Sequence, residues 1–204
     1  NARELVWYPS EVDTSIRTGW FYHPEEDTDV RTADELLDIY LDAVGANASL
    51  LLNIPPDTHG RIAAPDCASL AELGTKIQQI FAGNVTEKVK ITADSAIAQH
   101  PITQAVDGMA DTYWQAAYGQ EFDTITLKFP KPQKVSCVVL GEHLPTGQRI
   151  ESGEIWADGS KVSEFTVVGH KRICRFAPVE VLTITIKITA SRTEPTLRLL
   201  AVYQ

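Results

Sequence analysis

Cysteine, long apolar runs and, in its first part, basic residues are what this sequence has least of. Its three cysteines, Cys67, Cys137 and Cys174, are odd in number and widely spaced among 204 residues. That excludes a disulfide framework and a zinc-ligand spacing, and leaves each expected as a small buried hydrophobe. No apolar run nears the roughly 20 residues that span a bilayer, and the opening residues do not read as a signal peptide. No membrane insertion is expected. Residues 1–83 hold five Lys or Arg against fourteen Asp or Glu, which accounts for the whole net charge of −9. Residues 84–204 hold thirteen of each sign. An acidic first part repels phosphate, so neither nucleic acid nor an anionic membrane is an expected partner.

The break in charge near Gly83-Asn84 also suggests two domains, which 204 residues can hold. In the first part, Leu5 to Tyr8 reads as a short strand ended by Pro9. Thr32 and Glu35 form a capping box, followed by Leu36, Leu37, Tyr40, Leu41 and Val44 at helical spacing, with Gly45 as the stop. Ser49 to Ile54 is a largely apolar strand, closed by Pro55-Pro56-Asp57 and expected to be buried on both faces. A second helix, about Pro65 to Phe81, turns Leu70, Leu73, Ile77 and Phe81 inward. Two parallel strands make no stable sheet covered on both faces. The first part is therefore expected to be the end of a larger α/β domain that begins outside this chain.

Beyond Val85 the period changes. Short β-rich runs fall at Val89–Thr92, Asp123–Phe129, Val135–Leu140, Glu154–Ala157, Phe165–Val168, Arg172–Phe176, Leu182–Ile188 and Leu197–Tyr203. Several alternate apolar with polar, and turn residues separate them, as in an all-β sandwich. The run around Trp156 is among the shortest, and its strand signal is the weakest. Asp158-Gly159 after it is a hairpin-turn signal.

The densest chemistry lies at Trp7–His23, WYPSEVDTSIRTGWFYH, with five aromatics, a histidine and three charged side chains in seventeen residues. Aromatic faces stack on the C–H faces of sugars, and polar neighbours take up the hydroxyls. This run, continued as HPEED and then as LLDIYLDAVGANASLLLNIPPDTHGRI, resembles the last strands and helices of the barrel in family 29 glycoside hydrolases, the α-L-fucosidases. It is most similar to the branch acting on α-1,3- and α-1,4-linked fucose of Lewis-type oligosaccharides. Residues 88–204 resemble the discoidin-like, family 32 carbohydrate-binding-module-like sandwich that follows the barrel there. Ala105-Val106-Asp107-Gly108, Thr112-Tyr113-Trp114 and Gly147-Gln148-Arg149-Ile150 carry that likeness.

The resemblance implies an α/β plus all-β chain. Residues 1–83 would be the C-terminal βα units of an incomplete (β/α)8 barrel, and residues 84–204 a galactose-binding-like jelly-roll sandwich. It implies a retaining mechanism with two carboxylates about 5 Å apart. The family's nucleophile lies in a Trp-x-Asp-Gly-Ala segment and its acid/base in a Gly-Asn-Glu segment, both upstream of the aromatic block and neither found here. Trp156-Ala157-Asp158-Gly159 imitates the first motif inside a hairpin. The chain alone is thus expected to be inactive. The rest of the barrel is expected as a separate chain or an earlier part of the same polypeptide, and the substrate as a fucosylated oligosaccharide.

By resemblance Trp20 packs against the fucose ring, with Glu11, Arg17 and His23 as further substrate contacts or as supports of the loop. The acidic run Glu25, Glu26, Asp27 and Asp29 reads as a solvated loop. No cofactor is required. Asp107, Asp111 and Thr112 resemble a loop that holds structural Ca²⁺ in related modules, although Leu199-Leu200 stands where these often supply a carboxylate. Trp114, Tyr118, Glu142, His143 and Arg149 are candidates for a second sugar site. The resemblance implies a periplasmic or secreted enzyme. The alternative is a non-catalytic carbohydrate-binding or adhesion module.

Overall fold

The computed structural model describes residues 10–86 and 89–204, which divide at Ala82/Gly83 into two compact units. The first holds β1 (Ser10–Ser15), α1 (Ala33–Val44), β2 (Ala48–Asn53) and α2 (Ala64–Phe81). β1 and β2 run parallel, in register from Ser10 beside Ala48 to Ser15 beside Asn53. The strand expected at Leu5–Tyr8 lies outside the described residues. β1 itself follows Pro9, in a stretch that reads as loop. Val12 is its only large apolar residue, and Ile16 follows just past its end, so the mostly polar run shows no strand pattern.

The capping box forms as expected: Glu35 N–H donates to Thr32 Oγ1 at 3.3 Å, and Thr32 N–H donates to Glu35 Oε2 at 2.8 Å. The helix also stops at Gly45, where expected. Gly45 caps α1 at an ordinary φ of −74°, and Asn47 takes the left-handed turn at φ 71°, a conformation Asn tolerates through local hydrogen bonding. The helices pack Leu36, Leu37 and Leu73 on Ile16, with Leu52, Ile54, Leu70, Ile77 and Ile80 around them; Ile80 stands where Phe81 was expected. Only one sheet face is covered. On β2 burial alternates, and Leu51 is 52 % exposed, so burial on both faces is not met among the described residues.

The second unit is antiparallel β: β3 (Lys90–Ala93), β4 (Trp114–Gln115), β5 (Asp123–Gly141), β6 (Ile150–Ala157), β7 (Ser160–Phe165), β8 (Arg172–Ser191), β9 (Thr196–Leu197) and β10 (Leu199–Tyr203). The main sheet runs β10-β5-β8-β6-β7, with β3 also on β5; β4 and β9 form a separate pair. Runs that read as separate strands are continuous here. β5 joins Asp123–Phe129 to Val135–Leu140 through Pro130 and Pro132, where the ladder to β8 slips between Lys128 and Gln133. Proline lacks the N–H a ladder needs, so it is tolerated at such an irregularity.

The run around Trp156 is a full strand. Asp158 (φ 43°) and Gly159 (φ 87°) turn it into β7, and the Asp158 carboxylate accepts the Leu182 and Thr183 N–H groups. Asp158 is turn chemistry. Buried Trp114, Ile125, Leu127, Ile155, Ile184, Ile186 and Leu197 form this unit's core. Cys137 and Cys174 are buried, and burial pushes their thiols up to about 11 and about 12. Cys67, one residue past buried Asp66 on α2, is exposed, contrary to expectation.

Candidate functional site

The loop that leaves the C-terminal end of β1, Ile16 to His23, is fastened from beneath at nearly every residue. Ser15, 7 % exposed, donates from Oγ to the Gly19 carbonyl at 2.7 Å and accepts the Arg17 N–H at 3.3 Å. Asn53, at the matching end of β2, donates from Nδ2 to Ser15 Oγ at 3.0 Å and to the Trp20 carbonyl at 3.1 Å. The parallel register sets Asn53 beside Ser15, which is why it reaches the loop.

Arg17 forms the deeper anchor. Its side chain is fully buried, as is that of Asp66 on the first turn of α2. Nε donates to Asp66 Oδ2 at 3.1 Å, Nη2 to Asp27 Oδ1 at 2.8 Å and Nη1 to the His23 carbonyl at 3.3 Å. Asp66 Oδ1 lies 2.9 Å from Nη2 as an ion pair, off the line of a hydrogen bond. The guanidinium carbon sits 4.8 Å from the centre of the Tyr22 ring. Burial works against the charge, but the bonds to Asp66 and Asp27 outweigh it and hold the Arg17 pKa above its ordinary value. A buried cation is tolerable only when paired this fully.

The effect is to present two aromatics to solvent on a fixed loop. Trp20 is 49 % exposed and Phe21 78 % exposed. His23 is exposed and precedes the single turn Pro24–Glu26. Arg17 lies inside the loop, with its donors committed to protein groups. Glu11 lies on β1, not in the loop, four residues before Ser15 and so about 13 Å back along the strand. Asp27, read as part of a solvated acidic run, is half-buried against Arg17. Sequence reasoning missed Ser15, Asn53 as a loop anchor, and Asp66. A carboxylate at the start of α2 was the only signal for Asp66, and it reads equally as an ordinary first-turn acid.

In the second unit, Asp107 accepts the Met109 N–H at 2.9 Å and the Thr112 hydroxyl on both oxygens, at 2.9 and 2.7 Å. The loop that resembles a calcium-holding one thus bonds to itself, and Asp111 is exposed. Among the described residues, no group of three or more His, Cys, Asp or Glu could hold a metal ion. The candidate second sugar site is dispersed. Trp114 is fully buried, with its indole N–H on the Ser95 carbonyl at 3.0 Å. Glu142 is fully buried too, accepting N–H groups from Arg149, Ile150 and Gly169 at 2.7–2.9 Å. Burial raises its pKa. His143 stacks on Tyr113, which stacks on His100, at 3.8 and 3.9 Å between centroids. Arg149 donates to the Glu194 and Thr146 carbonyls. Tyr118 alone of the five is open, at 77 %.

Comparison with known proteins points the same way as the loop. Residues 2–79 match the family model described as alpha-L-fucosidase. Alpha-L-fucosidase 1 of Arabidopsis thaliana is 32 % identical over 209 residues, spanning 97 % of this chain and 41 % of that protein. A Bacteroides thetaiotaomicron protein assigned as an alpha-L-fucosidase superposes with a TM-score of 0.92 at 30 % identity, over 98 % of this chain and 45 % of that one. A Ruminococcus gnavus family 29 fucosidase, solved in complex with fucose, superposes with a TM-score of 0.89 at 26 % identity, over 97 % and 41 %. The chain spans less than half the length of these proteins. Over nearly its whole length, then, this chain is related by sequence and by fold to part of the alpha-L-fucosidases, a family of glycoside hydrolases.

Proposed function

We propose that this chain is the C-terminal portion of a retaining exo-α-L-fucosidase that removes α-1,3- or α-1,4-linked fucose from branched oligosaccharides. It supplies one wall of the sugar pocket, and a preceding barrel segment supplies the nucleophile and the acid/base. The observation that carries this reading is Trp20, half-exposed on an anchored loop at the C-terminal end of a parallel strand, within the segment that matches the fucosidase family. In (β/α)8 barrels that end of the strands bears the active site. A pocket wall must hold its shape before substrate arrives, and the bonds from Ser15, Asn53 and Arg17 give this loop that shape.

In this reading Trp20 stacks on the sugar and exposed His23 bonds its hydroxyls. Arg17 acts through the loop, and Glu11 stands too far back along β1 to touch the same sugar. The open face of β2, with Leu51, and the single pairing of β1 are accounted for by further parallel strands from the rest of the barrel. No cofactor enters the reaction.

The test is fucose release from an aryl α-L-fucoside and from a Lewis-type trisaccharide, by the complete protein and by this chain alone. The complete protein is expected to hydrolyse both, and this chain neither. Trp20→Ala in the complete protein is expected to lower kcat/KM by about 10²-fold, a loss typical of a misplaced or missing sugar contact. Hydrolysis of neither substrate by the complete protein, together with galactose binding, would replace this reading with a non-catalytic carbohydrate-binding module.

A further inference from the structure

Between the β6–β7 hairpin and the start of β8 lies a groove of about 470 Å³, a size ordinary for small-ligand sites. Its floor is backbone at Gly153, where the Phe165 ring occupies the space a side chain would need. Ser152, Thr166 and Thr189 line it with hydroxyls, and those of Ser152 and Thr189 bond to each other at 2.8 Å. The incoming chain joins this unit at the other edge of the sheet: Val85 N–H donates to the Val202 carbonyl of β10, and β7 ends the path β10-β5-β8-β6-β7.

The charges along the groove are unevenly paired. Glu164 and Glu154 share Lys161, at 3.1 and 3.6 Å, and Glu154 also accepts the Trp156 indole N–H at 2.9 Å. Lys187 stands beside Glu154 in the β6–β8 ladder, so the two carboxylates meet two cations before Arg172 is counted. Arg172 is the surplus charge. Its Nε donates to the Val167 carbonyl at 2.8 Å and its Nη2 to the Thr166 hydroxyl at 3.0 Å, both neutral acceptors. Among the described residues no carboxylate pairs with it, whereas buried Arg17 has two. Burial accordingly holds the Arg172 pKa below its ordinary value. A half-buried guanidinium with no anion costs stability. Its two bonds fix its plane and leave Nη1 without a protein acceptor, and a planar carboxylate matches that fork.

We propose that this groove binds a carboxylate-bearing saccharide: Arg172 takes the carboxylate, and Ser152, Thr189 and the two glutamates take the ring hydroxyls. That the ligand is a sugar rests on the fucosidase reading of this chain; the unpaired guanidinium stands without it. The site shares no residue with the Trp20 loop. It holds an acidic glycan on the protein and takes no part in cleavage.

The test is calorimetric titration of the complete protein with D-glucuronate, D-glucose and acetate. Glucuronate is expected to bind in the millimolar range, about ten-fold tighter than glucose or acetate. Arg172→Gln should remove that preference, while fucose release from an aryl α-L-fucoside stays within about two-fold of the unmodified protein. Thr189→Phe fills the groove and leaves Arg172 in place, so it should abolish binding and serves if Arg172→Gln does not fold. Equal binding of glucuronate and glucose, or of glucuronate and acetate, would overturn the inference. So would glucuronate binding unchanged in either folded variant, or no binding of the three at millimolar concentration. If nothing binds to a protein that releases fucose, the fucosidase reading stands alone. If glucuronate binds as expected and no fucose is released, the site stands and that reading falls.

Discussion

Replacing Asp66 with alanine tests the loop anchor most directly. Asp66 and the Arg17 side chain are both fully buried, and Asp66 takes the Nε–H and neutralises half of the charge that Asp27 shares. Removing it leaves a guanidinium sealed from water with Asp27, 38 % exposed, as its remaining carboxylate. Breaking a buried pair from one side costs about 3–5 kcal/mol, because the partner's charge stays behind uncompensated. Asp27→Ala should cost only about 1 kcal/mol, since water screens and replaces that contact. Removing both charges, as Arg17→Met with Asp66→Ala, should cost less than the sum of the two single changes by about 2 kcal/mol or more. The assay is chemical denaturation of the chain, together with hydrogen exchange at the Arg31 N–H, which donates to the Ile16 carbonyl at 2.9 Å and so reports the loop locally. Additive single costs, or an Asp66→Ala loss no larger than that of Asp27→Ala, would refute the argument that Arg17 is held by a buried charge pair.

Gly153→Ala should destabilise the β unit by about 1–3 kcal/mol in denaturant, because a Cβ there would run into the Phe165 ring and lie 2.6 Å from the Lys187 carbonyl. A thiol reagent should label Cys67 alone in the native chain, and Cys137 and Cys174 only after unfolding, since those thiols are buried and raised to about 11 and about 12. Glu194 accepts the Gly119 N–H at 2.8 Å, which with its other hydrogen bonds holds its carboxyl down at about 2. Its folded pKa is lowered, so its contribution is present above about 4.5 and is lost as pH falls toward about 2. The melting-temperature gap between the wild type and Glu194→Gln should close over that window. Glu142 has the opposite sign, because burial raises its folded pKa above the ordinary 4.5. Its contribution is greatest below about pH 4.5 and falls as pH rises through the folded value, so the gap between wild type and Glu142→Gln should shift toward Gln with rising pH.

Local chemistry settled the parts of this protein that need only neighbours in sequence. The capping box at Thr32 and Glu35, the helical spacing of Leu36, Leu37 and Tyr40, and the Asp158-Gly159 turn all operate within four residues of chain, so they can be read from it directly. The aromatic run ending at His23 likewise marked the loop that carries Trp20. What the sequence could not decide depends on atoms brought from far away. Arg17 and Asp66 are 49 positions apart, and Asn53 and Ser15 are 38 apart. Their meeting depends on the parallel register of β1 with β2 and on the packing of α2. Arg17 reads in sequence as a polar side chain free to greet a sugar, and the fold buries it as the fastening of the loop. Trp20 and Phe21 are adjacent aromatics that could equally have been core. Only the tertiary structure leaves Trp20 49 % and Phe21 78 % exposed, on a loop whose backbone is fixed by the anchors beneath it.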